Sequence, residues 1–213
     1  MEKSETVTNK TVLAVGAHPD DIELGCAASL VLFKQRGFKV HLLVMTKGEA
    51  SGNPAVREEE CRKSSVILKV DSLQFGNIKD TCVAFNRETV NVIERVIEQV
   101  NPGIIFGPTI KDTHQDHQGT GQAVLAAGRR SKKILLYEGA STLRDFIPQV
   151  FIDVEHSMPI KLKATQVFSS QLDQSGTFAR AYKAIDGLAK FRGYQAGVIA
   201  AEAFEVGKFI FDL

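Results

Sequence analysis

Two short segments of this 213-residue chain concentrate the residues able to do chemistry. The first is Ala17-His18-Pro19-Asp20-Asp21; the second runs from Pro108 through Lys111-Asp112-Thr113-His114-Gln115-Asp116-His117. Together they hold three of the five histidines and four aspartates. A catalytic metal site takes three nitrogen or oxygen ligands from the protein and keeps one position open. His18 and Asp21, three apart, suit a tight turn entering a helix, and one histidine from the second segment completes such a set. Asp20, beside a ligand, is placed to take the proton of an attacking water, whose pKa a divalent ion lowers from about 15.7 towards about 7. A further histidine, not itself a ligand, stabilises an oxyanion or protonates a departing amine. His114 and His117 are the candidates for these two jobs. Taken singly, an Asp-Asp pair is an N-cap with a dipole-compensating acid, and a His-x-x-His run is a solvated loop. Their joint placement at strand ends is what favours a metal.

The elements that position these segments follow from the hydrophobic pattern. Apolar runs alternate with helical periodicity: a buried strand at Thr11–Ala17, a helix over Leu24–Arg36 closed by Gly37, and a strand at Phe38–Met45. A helix over Arg57–Leu68 follows, then one over Arg87–Val100 in which Val92, Ile93, Val96, Ile97 and Val100 share a face. Asn101-Pro102-Gly103 ends it, and Gly103–Gly107 is read as the next buried strand. A helix over Gly119–Arg130 and a strand at Lys133–Tyr137 continue the alternation. The remainder carries a strand at Val150–Val154, helices near Met158–Ser169 and Phe178–Arg192, and a late strand near Phe204. The pattern specifies an α/β fold, a Rossmann-like three-layer sandwich with a mostly parallel sheet, spanning residues 1–213 as one domain. Such sheets bind ligands at the carboxyl ends of their strands, where both segments fall.

Composition narrows the class. Lys plus Arg is 26 against Asp plus Glu 25, a net charge of +1, which gives no electrostatic case for nucleic acid or an anionic membrane. The three cysteines, Cys26, Cys61 and Cys82, form no CxxC pair, so free thiols in a reducing compartment are expected. With a polar amino-terminal stretch and no long apolar run, the expectation is a cytoplasmic protein with no membrane partner. The first strand leads into GAHPDDIELG, which lacks GxGxxG and sets acids where a pyrophosphate would sit, against a dinucleotide enzyme. Lys47-Gly48-Glu49-Ala50-Ser51-Gly52 lacks Walker spacing and reads instead as a mobile loop beside the site. His41 and His156 read as structural or surface residues, and Arg129-Arg130 with Lys132-Lys133 as a solvated cluster at a helix end.

The run AHPDDIELG at 17–25, with HQDHQGTG at 114–121, resembles the LmbE/PIG-L family of zinc-dependent de-N-acetylases. Arg57-Glu58-Glu59-Glu60 is similar to that family's Arg-x-x-Glu helix, Phe168-Ser169-Ser170-Gln171 to its Ser-Gln element, and Ala201-Glu202-Ala203-Phe204 to its Ala-Glu-x-Phe. The resemblance implies a hydrolase that removes the N-acetyl group from an N-acetylglucosamine-containing small molecule, releasing acetate and an amine. Its relatives act on chitobiose, on glycolipid precursors, and on sugar precursors of mycothiol and bacillithiol. It implies one zinc ion per chain held by His18, Asp21 and His117, although the donor set also suits iron or manganese. It makes Asp20 the general base, His114 the group assisting the intermediate or the leaving amine, and Asp116 the tuner of His114. Arg57 matches a position that contacts substrate. Where some relatives carry a histidine before the Ser-Gln element, this chain has Phe168, and Tyr137, Tyr182 and Tyr194 match no catalytic tyrosine. The resemblance also allows a homo-oligomer. The alternatives are a metal-binding relative without turnover and a hydrolase of a different amide.

Overall fold

The protein is described here by a computed structural model covering residues 9–172 and 177–211. In chain order the elements are β1 (Thr11–Gly16), α1 (Asp21–Gly25), α2 (Ala27–Gln35), β2 (Lys39–Val44), α3 (Pro54–Leu68), β3 (Ser72–Phe75), α4 (Arg87–Val100) and β4 (Ile104–Pro108). They continue with α5 (Gln115–Ala127), a 3₁₀ turn (Gly128–Arg130), β5 (Lys133–Tyr137), β6 (Val150–Asp153), α6 (Met158–Thr165), α7 (Ser169–Leu172), α8 (Thr177–Ala196) and β7 (Ala201–Phe209). The seven-stranded sheet has the order β3-β2-β1-β4-β5-β7-β6. Its first five strands are parallel; β7 runs antiparallel to both β5 and β6.

Period-two alternation along buried strands divides the core into two layers. Val12, Ala14, Leu42, Phe106, Tyr137 and Phe204 face one side, packed with Ile22, Cys26, Leu30, Cys61 and Phe168. Leu13, Val15, Leu43, Ile105, Ile134 and Leu136 face the other, against Ile93 and Val96 of α4 and Ala123 and Val124 of α5. With both faces covered by helices, strands of nearly continuous apolar residue are what the sheet requires. From β1 the chain winds outward through β2 and β3, then returns so that β4 sits on β1's other side. The order reverses between β1 and β4, and that is where such a sheet opens a crevice at its carboxyl edge.

The periodicity locates most elements within a few residues and misses three features. The helix expected from Leu24 is two helices, broken at Cys26, whose φ of −142° is not helical. β3 goes unread because its four half-buried residues lie on the sheet edge and carry no apolar run. α5 begins at Gln115, four residues before the expected start, because His114 caps it.

Cys26 gives α2 no side-chain cap. Glu202 of β7 supplies one from across the fold, accepting the N–H of Ala28 at 3.1 Å and of Ser29 at 2.7 Å. Lys161 of α6 donates to Glu202 at 2.6 Å and to the Leu24 carbonyl at 2.8 Å, so one buried ion pair ties β7, α2 and α6 together. Among the described residues no helix is long and apolar enough to cross a membrane. Removing Lys161 leaves a buried carboxylate without its cation, which typically costs about 3–5 kcal/mol. Lys161→Ala should lower the unfolding free energy by that amount in urea titration; a loss below about 1 kcal/mol would mean that helix-capping alone satisfies Glu202.

Candidate metal centre

The turn between β1 and α1 builds the site's floor. Asp21 Oδ2 accepts the main-chain N–H of Ala17 and of His18, each at 2.8 Å, which fixes the carboxylate at the start of α1. Asp20 occupies φ 109°, a left-handed conformation that a non-glycine residue adopts at a cost of roughly 1–3 kcal/mol. Arg57 of α3 spans the turn: its Nη2 donates to the Pro19 carbonyl at 2.8 Å and lies 3.5 Å from Asp20 Oδ2. Its Nη1 donates to the Gly48 carbonyl at 3.2 Å and to Ser51 Oγ. Arg57, expected to meet substrate, is buried and spends most of its donors on the protein, while its Nε has no partner in the structure.

The second segment arrives from β4 and α5. His114 caps α5, its Nδ1 accepting the Asp116 N–H at 3.2 Å, and this start to the helix carries Asp116 and His117 on its first turn. The rings of His18 and His114 lie 4.7 Å apart, those of His114 and His117 stack at 4.6 Å, and His18 and His117 are 5.3 Å apart. His117 Nε2 is 3.2 Å from Asp21 Oδ1, and His18 Nδ1 is 3.5 Å from Asp21 Oδ2.

A cavity of about 250 Å³ opens on this cluster, lined by His18, Asp20, Asp21, Arg57, His114 and His117 together with Ala50, Ser51, Asp80 and Thr81. Six of the seven residues singled out from sequence therefore face one space. Asp116 does not: fully buried behind it, Asp116 accepts the N–H of Thr81 at 2.8 Å and of Val83 at 3.2 Å, and its Oδ2 lies 3.2 Å from His18 Nε2. Asp116, expected to tune His114, does act on it by charge, favouring its protonated form, while the carboxylate also holds His18 and the main-chain N–H meets the His114 ring.

The sequence places Asp112 in the second segment without a role and gives no sign of Asp80. Asp80 Oδ1 lies 3.0 Å from His18 Nε2, and it reaches the site because it follows the unread strand β3. Recognising β3 would have flagged the residue, since it follows a parallel strand's carboxyl end. Asp112 Oδ1 lies 3.2 Å from His117 Nδ1. Tyr137 is a core residue donating to the Val15 carbonyl at 2.8 Å, Phe168 is fully buried in the core, and Tyr194 is exposed. His41 meets Ser72 Oγ at 2.7 Å on the sheet, and His156 is exposed.

The charges are arranged to attract a cation. Burial opposes an imidazolium at His18, yet hydrogen bonds to Asp116, Asp21 and Asp80 outweigh it and push its pKa up to about 12. Burial likewise opposes His117, and Asp21 and Asp112 push it up to about 10. Asp21 is held well below the usual carboxylate range: burial works to raise it, and His117 and His18 prevail. Burial pushes Asp20 up to about 7, with Arg57 restraining the rise. His114 stays below the ordinary histidine value because it is buried beside two cationic rings. A metal site binds deprotonated donors and displaces such protons. Donor atoms of His18, His114 and His117 lie within 4.8 Å of one another, as do those of His18, Asp80 and Asp116. The 3.2 Å between His117 Nε2 and Asp21 Oδ1 is close to the roughly 3.3 Å that separates two ligands on one tetrahedral ion. These donors suit a divalent cation, and Asp21, which belongs to neither group, meets His18 through Oδ2 and His117 through Oδ1.

The family model described as GlcNAc-PI de-N-acetylase, PIG-L, matches residues 13–128, which contain both segments. The chain belongs to the PIG-L family. It is 36% identical over 169 residues to the uncharacterized deacetylase YaiS of Escherichia coli, covering 76% of this chain and 91% of that protein. It is 31% identical over 183 residues to the probable N-acetyl-alpha-D-glucosaminyl L-malate deacetylase 2 of Bacillus anthracis, covering 75% and 80% respectively. The fold is shared with the N,N'-diacetylchitobiose deacetylase of Pyrococcus horikoshii at a TM-score of 0.82 and 23% identity, over 92% of this chain and 83% of that one. As a PIG-L member this chain is an N-deacetylase, an amide hydrolase of a metal-dependent kind.

The supporting motifs have architectural partners. Glu60 accepts from Ser170 N at 2.8 Å, Ser170 Oγ at 2.7 Å and Ser169 Oγ at 3.2 Å, so the Arg-x-x-Glu helix and the Ser-Gln element hold each other. Gly48 has φ +68° and packs so closely on Arg57 that a Cβ there would overlap the guanidinium. Gly48→Ala should displace Arg57 and release the Asp20 turn, lowering kcat/KM by about ten- to a hundredfold with metal content unchanged. Wild-type kinetics in that variant would show that the guanidinium's seat is immaterial.

Proposed function

We propose that this chain is a zinc-dependent hydrolase that removes the N-acetyl group from a small N-acetylglucosamine-containing substrate, yielding acetate and a free amine. The observation that carries this reading is the meeting, in one cavity, of Asp21 with a ring nitrogen from each of His18 and His117, beside an Asp20 that burial has pushed up to about 7. His18, Asp21 and His117 would hold the ion. When bound, zinc supplies Lewis-acid polarisation of the amide carbonyl and acidifies the attacking water. The amino-sugar assignment is supported by the names of the Bacillus anthracis and Pyrococcus horikoshii relatives.

The chain's own groups do the proton work. Asp20 takes a proton from water as the oxygen bonds to the acetyl carbon, a role that suits a carboxylate whose pKa is raised towards neutrality. Arg57 anchors the Pro19 carbonyl and stands beside the Asp20 carboxylate, so it aims the base while its charge restrains the rise that burial causes. His114 lends Nδ1 to the α5 cap, which leaves Nε2 as its free ring nitrogen. Burial keeps this ring neutral, so Nε2–H donates a hydrogen bond to the developing oxyanion, while the proton that Asp20 took from water passes to the departing nitrogen as the C–N bond breaks. The cavity's 250 Å³ suits one sugar ring with its acetamide.

Protein purified without chelator should carry near one divalent ion per wild-type chain, and His117→Ala little, by elemental analysis. Asp20→Asn should keep the metal while acetate release from N-acetylglucosamine or diacetylchitobiose falls by about 10² to 10⁴. Undiminished acetate release in Asp20→Asn would remove the base from the mechanism, and metal-free wild-type protein after zinc addition would remove the hydrolytic centre altogether.

A further inference from the structure

Each histidine that meets Asp21 turns its second ring nitrogen outward onto a carboxylate that the reaction above leaves unused. His18 presents Nδ1 to Asp21 and Nε2 to Asp80 and Asp116. His117 presents Nε2 to Asp21, at 3.2 Å, and Nδ1 to Asp112 Oδ1, also at 3.2 Å, with the Ser141 hydroxyl that donates to Asp112 3.3 Å from the same nitrogen. Building on the metal reading, we infer that Asp112 is a positioning residue for the metal centre: its carboxylate accepts the Nδ1–H of His117 and so keeps the Nε2 lone pair free for the ion.

Asp112 is itself held firmly enough to do this. It is 1% exposed. Its Oδ1 accepts the His114 N–H at 2.8 Å and the Ser141 hydroxyl at 2.6 Å, and its main-chain carbonyl accepts from Gln118 Nε2. A bridge pairs Asp112 with Thr142, flanked by Thr113 N–H to the Ser141 carbonyl at 3.1 Å and Leu143 N–H to the Lys111 carbonyl at 2.8 Å. The segment after β5 therefore clamps the carboxylate against the first turn of α5. A neutral imidazole has one donor and one acceptor nitrogen, and the partner of one decides the state of the other. An anion at Nδ1 selects the tautomer with Nδ1–H, fixes the ring's rotation about Cβ, and makes Nε2 more basic. His114 is oriented from the same side chain, through its N–H rather than its ring, so one carboxylate sets the registry of both histidines of the segment.

A role confined to holding the loop predicts something different. Asp112→Asn keeps an oxygen acceptor for the His114 N–H and Ser141 but loses the charge on His117; Asp112→Ala loses both. Zinc affinity is measured by competition with a chromogenic chelator, with the melting temperature of the metal-free proteins taken in parallel. The visible spectrum of the cobalt-substituted proteins reports ligand geometry. The expected result is weakening of zinc binding by about 10- to 100-fold in Asp112→Ala and a smaller loss in Asp112→Asn, with an altered cobalt spectrum. Asp112→Asn binding zinc within twofold of wild type, with an unchanged cobalt spectrum, overturns the inference, whether or not the alanine variant folds. Wild-type protein that binds neither ion overturns the metal reading itself, a separate result from equal binding by wild type and variant.

Discussion

Asp21 is bound twice over, and the site depends on that. Its Oδ2 is taken by the N–H groups of Ala17 and His18, which bends the chain back at the end of β1 and leaves Oδ1 facing His117. A carboxylate accepting two main-chain donors holds its charge in a buried position at little cost. The same bend forces Asp20 into left-handed φ and lifts it into the cavity, where Arg57 steadies the strained turn through the Pro19 carbonyl. Strain of this kind persists only when its surroundings over-determine it, and here the determinants come from β1, α1 and α3 at once.

Around that turn the charges are deliberately unequal. Asp21, Asp80, Asp112 and Asp116 face two histidines, so in the protein alone both rings are drawn towards the imidazolium form against the effect of burial. A centre with that imbalance favours a divalent cation over protons once donors can be deprotonated. Asp20 is the exception among these aspartates, since burial dominates there and lifts it to about 7, as it also lifts Glu23 of α1. Two kinds of aspartate within one turn, one stabilised as an anion and one poised to exchange a proton, arise from the charge and hydrogen bonds of His117 and His18 in the first case and desolvation in the second.

Residues far from the chemistry hold this arrangement in register. Glu202 caps α2 across the sheet and is neutralised by Lys161, which also ties down the end of α1 through the Leu24 carbonyl. Glu60, three residues beyond Arg57 on α3, is fixed by Ser169 and Ser170 at the start of α7. Motifs that look catalytic by their charge thus act as joints between layers, where a buried polar group must find all its partners to be tolerated.

The sequence by itself determined the alternation of strands and helices, the parallel sheet, and the two segments at its carboxyl edge, because periodicity and spacing report geometry within a few turns of chain. Arg87–Val100 and Lys133–Tyr137 were legible to the residue. Six of the seven candidate residues could be named for the same reason: they lie in two short runs whose neighbours dictate the turn. Only the tertiary structure decided which nitrogen of each histidine faces which acid. That the Asp116 carboxylate also reaches His18 depends on a contact across 98 residues, and Asp80 enters through a sheet-edge strand with no apolar run to announce it. Arg57 likewise looks like a free cation on a helix face until α3 is packed against the β1 turn, where burial obliges its guanidinium to satisfy main-chain carbonyls first. Such pairings are set by the packing of separate layers, and a one-dimensional pattern carries no record of which side chains those layers bring within 3 Å of each other.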